Sequence, residues 1–204
     1  MKRLLIALLI VCSAPTLAMA AAAPAKPTAV PAVMDSMGLL EKAVARDSSK
    51  VDNLYRLGVM YLDRDRASEA VQVLGKAYEK GRKDIKLLVN LGAAHDAVGH
   101  GDVAQRLYRE ALEMAPHDSV ASCRLASSLY SGGRHQQAVD LLRDVIQYTP
   151  GSHCAYFTLG VAFADAGIYR DAIRMWQKVV ELAPGSPEAM SAQESITVLQ
   201  KFVQ

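Results

Sequence analysis

The 204-residue chain carries 23 basic and 21 acidic side chains, a formal charge of +2. Lys2 and Arg3 stand in a leader segment that carries no acid, so the remainder holds 21 of each sign. That balance leaves no basic footprint for nucleic acid and makes polyanions unsuitable partners.

Residues 1–20 read as a cleaved secretory signal. Lys2 and Arg3 form the basic start, Leu4 to Val11 the apolar run, and Ala18, Met19 and Ala20 the small-x-small cleavage site. The apolar run is far short of the roughly 20 residues that span a bilayer. No later stretch is apolar enough, so no transmembrane segment is expected in the mature chain. An alternative makes Cys12 the acylated residue of an outer-membrane lipoprotein serving pilus, secretion or envelope machinery. Val11, standing where such a motif expects Gly, Ala or Ser, weakens it. Residues 21–34 are rich in Ala and Pro and lack apolar periodicity, which suits a semi-rigid tether. About 170 residues then remain, enough for one domain.

Residues 35–50 read as a single helix, and after it the chain becomes periodic. Leu57, Leu91, Leu125 and Leu159 are each 34 residues apart, and so are Gly58, Gly92, Ala126 and Gly160 that follow them. Ala70, Ala104, Ala138 and Ala172 keep the same step, as do Pro116, Pro150 and Pro184. In the first unit Leu54, Leu57 and Tyr61 form one helical stripe, and Ala70, Leu74, Ala77 and Tyr78 a second. A small residue in each helix lets two backbones approach. Gly inside a helix costs about 1 kcal/mol against Ala, so close crossing supplies its reason.

Turn residues agree with that pattern. Gly99, Gly133 and Gly167 stand where the first helix of a unit ends, a place for a left-handed cap. Asp65 holds that place in the first unit and tolerates the conformation less well. Asp84, Asp118, Ser152 and Ser186 are expected to cap the following helices. Pro187 suits the first turn of a last helix over residues 187–204, expected to keep polar residues on its outer side.

These series resemble the tetratricopeptide repeat family over about Val51 to Ser186, and a 34-residue period is that family's mark. The resemblance implies an all-α fold, a right-handed α-solenoid of four hairpins in residues 51–84, 85–118, 119–152 and 153–186. Residues 35–50 then form an N-terminal cap helix of the second type, and residues 187–204 a C-terminal solvating helix. Similar exported proteins in Gram-negative bacteria serve envelope processes, so the expected setting is the periplasm and the expected partner an envelope protein or peptide.

No catalytic, cofactor-binding or metal-ligating constellation emerges. His95, His100, His117, His135 and His153 are scattered over turns and helix ends, without a second ligand type at helical spacing. His95 replaces Tyr61, Leu129 and Phe163 in the register and reads as packing. Trp176 replaces Leu74, Tyr108 and Leu142 and reads as core. In the family the first helices line a concave, partner-binding side. The register places Tyr55, Val59, Val89, Asn90, Ala93, Arg124, Ser127, Tyr130, Phe157 and Val161 there. That largely apolar surface suits an extended or helical segment with apolar anchors. A clamp for a terminal carboxylate is not expected: Asn90 and Arg124 fit one, but Tyr55, Val59 and Val120 do not. Cys123 and Cys154 lie on successive first helices, and a disulfide and two free thiols both fit the sequence. Helix axes about 8–10 Å apart lean slightly against the bridge.

Overall fold

A computed structural model describes residues 36–203. The signal segment, Cys12 and the tether lie outside the described residues. Ten α-helices follow one another, and no strand is present among the described residues: α1 (Ser36–Arg46), α2 (Val51–Leu62), α3 (Ala67–Glu79), α4 (Ile85–Ala97), α5 (Gly101–Met114), α6 (Ser119–Ser131), α7 (His135–Tyr148), α8 (His153–Asp165), α9 (Tyr169–Leu182) and α10 (Pro187–Leu199). A 3₁₀ turn, Gln200–Phe202, ends the described chain. Each 34-residue unit holds one antiparallel hairpin, α2/α3, α4/α5, α6/α7 and α8/α9.

The small residues sit where the hairpins close. A Cβ on Gly92 would come within 2.5 Å of Tyr108 Cε1, and Gly58 and Gly160 face Leu74 and Trp176 in the same way. So the large side chain of the second helix lies directly on the glycine of the first. Leu74, Tyr108 and Trp176 are buried there, and Leu142 is buried in the third hairpin, where Ala126 takes the place of the glycine. The buried side chains fall into three clusters in chain order, as a stack of neighbours requires. α1 has no buried residue of its own. It is held by Met37, Leu40 and Val44 against the first cluster and by Tyr61 O–H donating to Glu41 Oε1 at 2.9 Å.

All four hairpin turns share one geometry. The backbone N–H of Arg66, His100, Arg134 and Ile168 donates to the carbonyl five residues back, at 2.8 to 2.9 Å. The residue before each donor is left-handed: Asp65 (φ 56°), Gly99 (81°), Gly133 (78°) and Gly167 (75°). Asp65 therefore takes the same strained place as the glycines. Between hairpins, Asp84 accepts from Leu87 N–H and Asp118 from Ala121 N–H, both at 2.8 Å, and Ser186 accepts from Ala189 N–H at 3.0 Å.

Two local expectations change. Ser152 makes no capping bond; its buried hydroxyl lies 3.1 Å from the Cys154 sulfur and 3.9 Å from that of Cys123. The outer side of α10 is not uniformly polar either, since Met190 and Val198 are exposed beside Ser191 and Glu194. The inner side, Ala189, Ala192 and Ile196, is spent on covering Ile173, Trp176 and Val179.

Candidate functional site

The first helices of successive hairpins, α2, α4, α6 and α8, lie side by side and leave their hairpin partners on the other flank. Tyr130 O–H, near the end of α6, donates to Asp165 Oδ2 near the end of α8 at 3.2 Å. Burial, then the Asp165 carboxylate, raises the Tyr130 phenol above its ordinary range. Asn90 Nδ2 donates to the Tyr55 hydroxyl oxygen at 3.0 Å, linking α4 to α2. Arg82 stacks its guanidinium 3.9 Å from the Tyr55 ring centre and pairs with Asp52 and Asp84. That cation ties the one connection between hairpins that lacks a proline.

Between α6 and α8 opens a cavity of about 720 Å³, reaching the first turn of α10. Arg124, Ser127 and Tyr130 of α6 line it from one side, Phe157 and Val161 of α8 from the other. Five of the ten groove residues expected from sequence thus share one cavity. Ala93 lines a smaller recess of about 360 Å³ together with Arg124 and Ser127. Tyr55 and Val59 line a separate cavity of about 620 Å³ with Leu39 and Leu40 of α1. Val89 is not part of the surface: it is 8% exposed and packs in the first cluster. α4 lies between α2 and α6 and buries Leu87, Leu88, Val89 and Leu91, so that turn of the helix faces neighbours rather than the groove.

Sequence reasoning missed the hydroxyl wall of the large cavity, formed by Ser119, Ser131, Thr149 and Ser152, and the carboxylate of Glu188 from α10. The density of serine along α6 was a readable signal. Glu188 had none, because only the docking of α10 brings it to the cavity. Cys123 and Cys154 also line this space, with Cα atoms 6.3 Å apart. That separation is inside the range a disulfide needs. The two cysteines stand on facing sides of α6 and α8, which brings their Cα atoms nearer than the usual axis separation of about 8–10 Å.

A partly buried polar chain connects the second and third hairpins along the wall of the small recess, which Asp96, Tyr108 and Ser128 line. Tyr108 O–H donates to Asp96 Oδ2 at 2.9 Å, and Ser128 Oγ–H to Asp96 Oδ1 at 2.8 Å. Gln105 Nε2 donates to the Ser128 carbonyl at 3.2 Å, and Arg134 donates to Gln105 Oε1. Burial foremost, then the Asp96 carboxylate, holds the Tyr108 phenol far above its ordinary pKa. His95 and His100 bring their Nδ1 atoms to 3.4 Å, and burial of the ring, then its neighbour, lowers the His95 pKa. Among the described residues no three His, Cys, Asp or Glu side chains gather as a metal site. No described helix is long and apolar enough to cross a membrane.

Stacked helical hairpins with an open side lined by their first helices define a helical-repeat scaffold for protein interaction. A family model described as "Tetratrico peptide repeat" matches residues 85–194, more than half of the chain, and the chain belongs to that family. Solved structures agree on the fold. MamA superposes with a TM-score of 0.60 at 23% identity, over 72% of this chain and 85% of its own. PilF of Pseudomonas aeruginosa gives 0.63 at 21% identity over 78% and 71%, respectively. YrrB, described as "a TPR protein with an unusual peptide-binding site", gives 0.57 at 23% identity over 78% and 81%. No curated protein matches the sequence.

Proposed function

We propose that this protein is a non-catalytic periplasmic adaptor that holds a segment of an envelope protein in the groove between α6 and α8. The cavity there carries the reading. It is open and joins apolar anchoring surface, Phe157, Val161 and Val120, to hydroxyls and one exposed guanidinium, Arg124. An extended peptide needs that combination: pockets for apolar side chains and donors and acceptors for its backbone. The peptide-binding site of YrrB, a structural relative, supports a peptide as the occupant. Export rests on the sequence of residues 1–20 and the groove on the packing of α6 and α8, so the two can be tested separately.

Photo-crosslinking from intact cells, followed by purification of the tagged chain, tests the groove. The pair Tyr130→Ala with Phe157→Ala removes both aromatic anchors and is expected to reduce the crosslinked species by roughly tenfold, equivalent to about 1.4 kcal/mol. Unchanged helicity must accompany the loss. Equal capture by the double variant places the partner site elsewhere.

A further inference from the structure

The large cavity lies between two hairpins that share part of their packing, since Ala155 and Leu159 of α8 join Leu125 and Leu129 of α6 in the middle cluster. Cys123 and Tyr130 of α6 pack with the middle cluster, whereas Phe157 and Val161 of α8 pack with the C-terminal cluster around Trp176. Its width therefore follows from how α6 lies against α8. Near the ends of the two helices the Tyr130–Asp165 hydrogen bond fixes that relation. Near their beginnings Cys123 and Cys154 face each other, 6.3 Å apart at Cα and 31 residues apart in sequence. Both line the cavity, and Cys154 is only half-buried, so a small reagent or a redox protein can reach this pair from the open side. Ser152 turns its hydroxyl away from capping α8 and toward the two sulfurs.

We propose that Cys123 and Cys154 form a disulfide that fastens the first turns of α6 and α8, and that thiol redox state thereby controls whether the groove is formed. This rests on the groove reading above. The oxidant is a disulfide of the thiol–disulfide exchange class. The Cys154 thiolate, the more exposed and the one beside the Ser152 hydroxyl, attacks one oxidant sulfur and releases the first oxidant thiol. Cys123, as its thiolate, then attacks the Cys154 sulfur of the mixed disulfide and releases the second. Two protein thiols and one oxidant disulfide become one protein disulfide and two oxidant thiols, and both protons end on the oxidant. Reduction returns the pair to thiols and leaves the beginnings of α6 and α8 without a covalent tie. The far ends stay joined through Tyr130 and Asp165 and the middle turns through Ala155 and Leu159, so the loosening is confined to the beginnings of the two helices.

The test uses the processed chain, residues 21–204, equilibrated either in glutathione disulfide or in tris(2-carboxyethyl)phosphine. Thiols are counted after denaturation, amide exchange is followed over 119–131 and 153–165, and the photo-crosslinking capture is repeated in both states. The expected result is no free thiol after oxidation and two after reduction. Exchange in the first turns of both helices should rise at least about tenfold on reduction, with capture falling in parallel, and Cys154→Ser should reproduce the reduced state. Should that variant fail to fold, the reduced wild-type chain alone carries the comparison. Two thiols persisting in glutathione disulfide overturn the proposal, as does equal exchange or equal capture in the two states. If capture ignores redox state but still falls with Tyr130→Ala and Phe157→Ala, the fastener is refuted and the groove reading stands. Capture that ignores both refutes the two together.

Discussion

Among the described residues Asp65 is the one non-glycine with a positive φ. Its φ of 56° places a β-carbon in the left-handed region that the other three hairpin turns give to glycine. Its side chain is exposed. Asp65→Gly is therefore expected to stabilise the first hairpin by about 1 kcal/mol, read as a higher midpoint in urea at unchanged slope. A lower midpoint would mean that Asp65 makes a compensating interaction in the folded state. Trp176 shows the opposite relation between residue and place. It is 5% exposed, lies on Gly160 and donates its indole N–H to the Phe157 carbonyl at 3.2 Å. The chain has one tryptophan, so its fluorescence reports on the helix that lines the groove.

At the scale of elements, the second and third hairpins are joined by polar groups where apolar packing is the rule. Asp96 at the end of α4 receives Tyr108 from α5 and Ser128 from α6. Removing the Tyr108 hydroxyl leaves Asp96 Oδ2 short of a donor, and Tyr108→Phe is expected to cost about 1–3 kcal/mol near neutral pH. The pH dependence has a definite sign. The folded Tyr108 keeps its proton well above the ordinary tyrosine range, whereas in the unfolded chain it titrates near pH 10. Its contribution is thus whole below about pH 10 and declines as pH rises beyond it, because the unfolded state ionises first. Denaturation at pH 8 and at pH 11 should show the gap between wild type and Tyr108→Phe narrowing at the higher pH. A constant gap would show that Tyr108 ionises equally in both states.

Taken as a whole molecule, the described chain is a row of clusters, each closed by its neighbour, and the row must end somewhere. α10 ends it by laying Ala189, Ala192 and Ile196 over Ile173, Trp176 and Val179. Deleting residues 187–204 should expose this surface, shift tryptophan emission to longer wavelength and promote aggregation. The same deletion removes Glu188 from the cavity. Unshifted emission would show that α8 and α9 close their core without α10. At the other end α1 buries none of its residues fully; Met37, Leu40 and Val44 pack on the first cluster, and Glu41 accepts from Tyr61 and pairs with Arg66 at 3.3 Å.

The period itself was legible in the sequence, because each copy repeats one packing problem: a glycine or alanine opposite a large side chain, a turn needing a left-handed residue, a cap before the next helix. Gly92 with Tyr108, Gly99 and Asp118 each have a purely local reason, so the 34-residue spacing sufficed to place them. The groove was legible only where register alone sets direction, as for Tyr130, Phe157 and Val161. Val89 failed that reading because a central helix has neighbours on two sides, and burial there depends on how far adjacent helices rotate. Glu188 and the facing of Cys123 with Cys154 depend on distances between separate elements. Such distances follow from the packed volumes of many side chains together, so only the tertiary structure decided them.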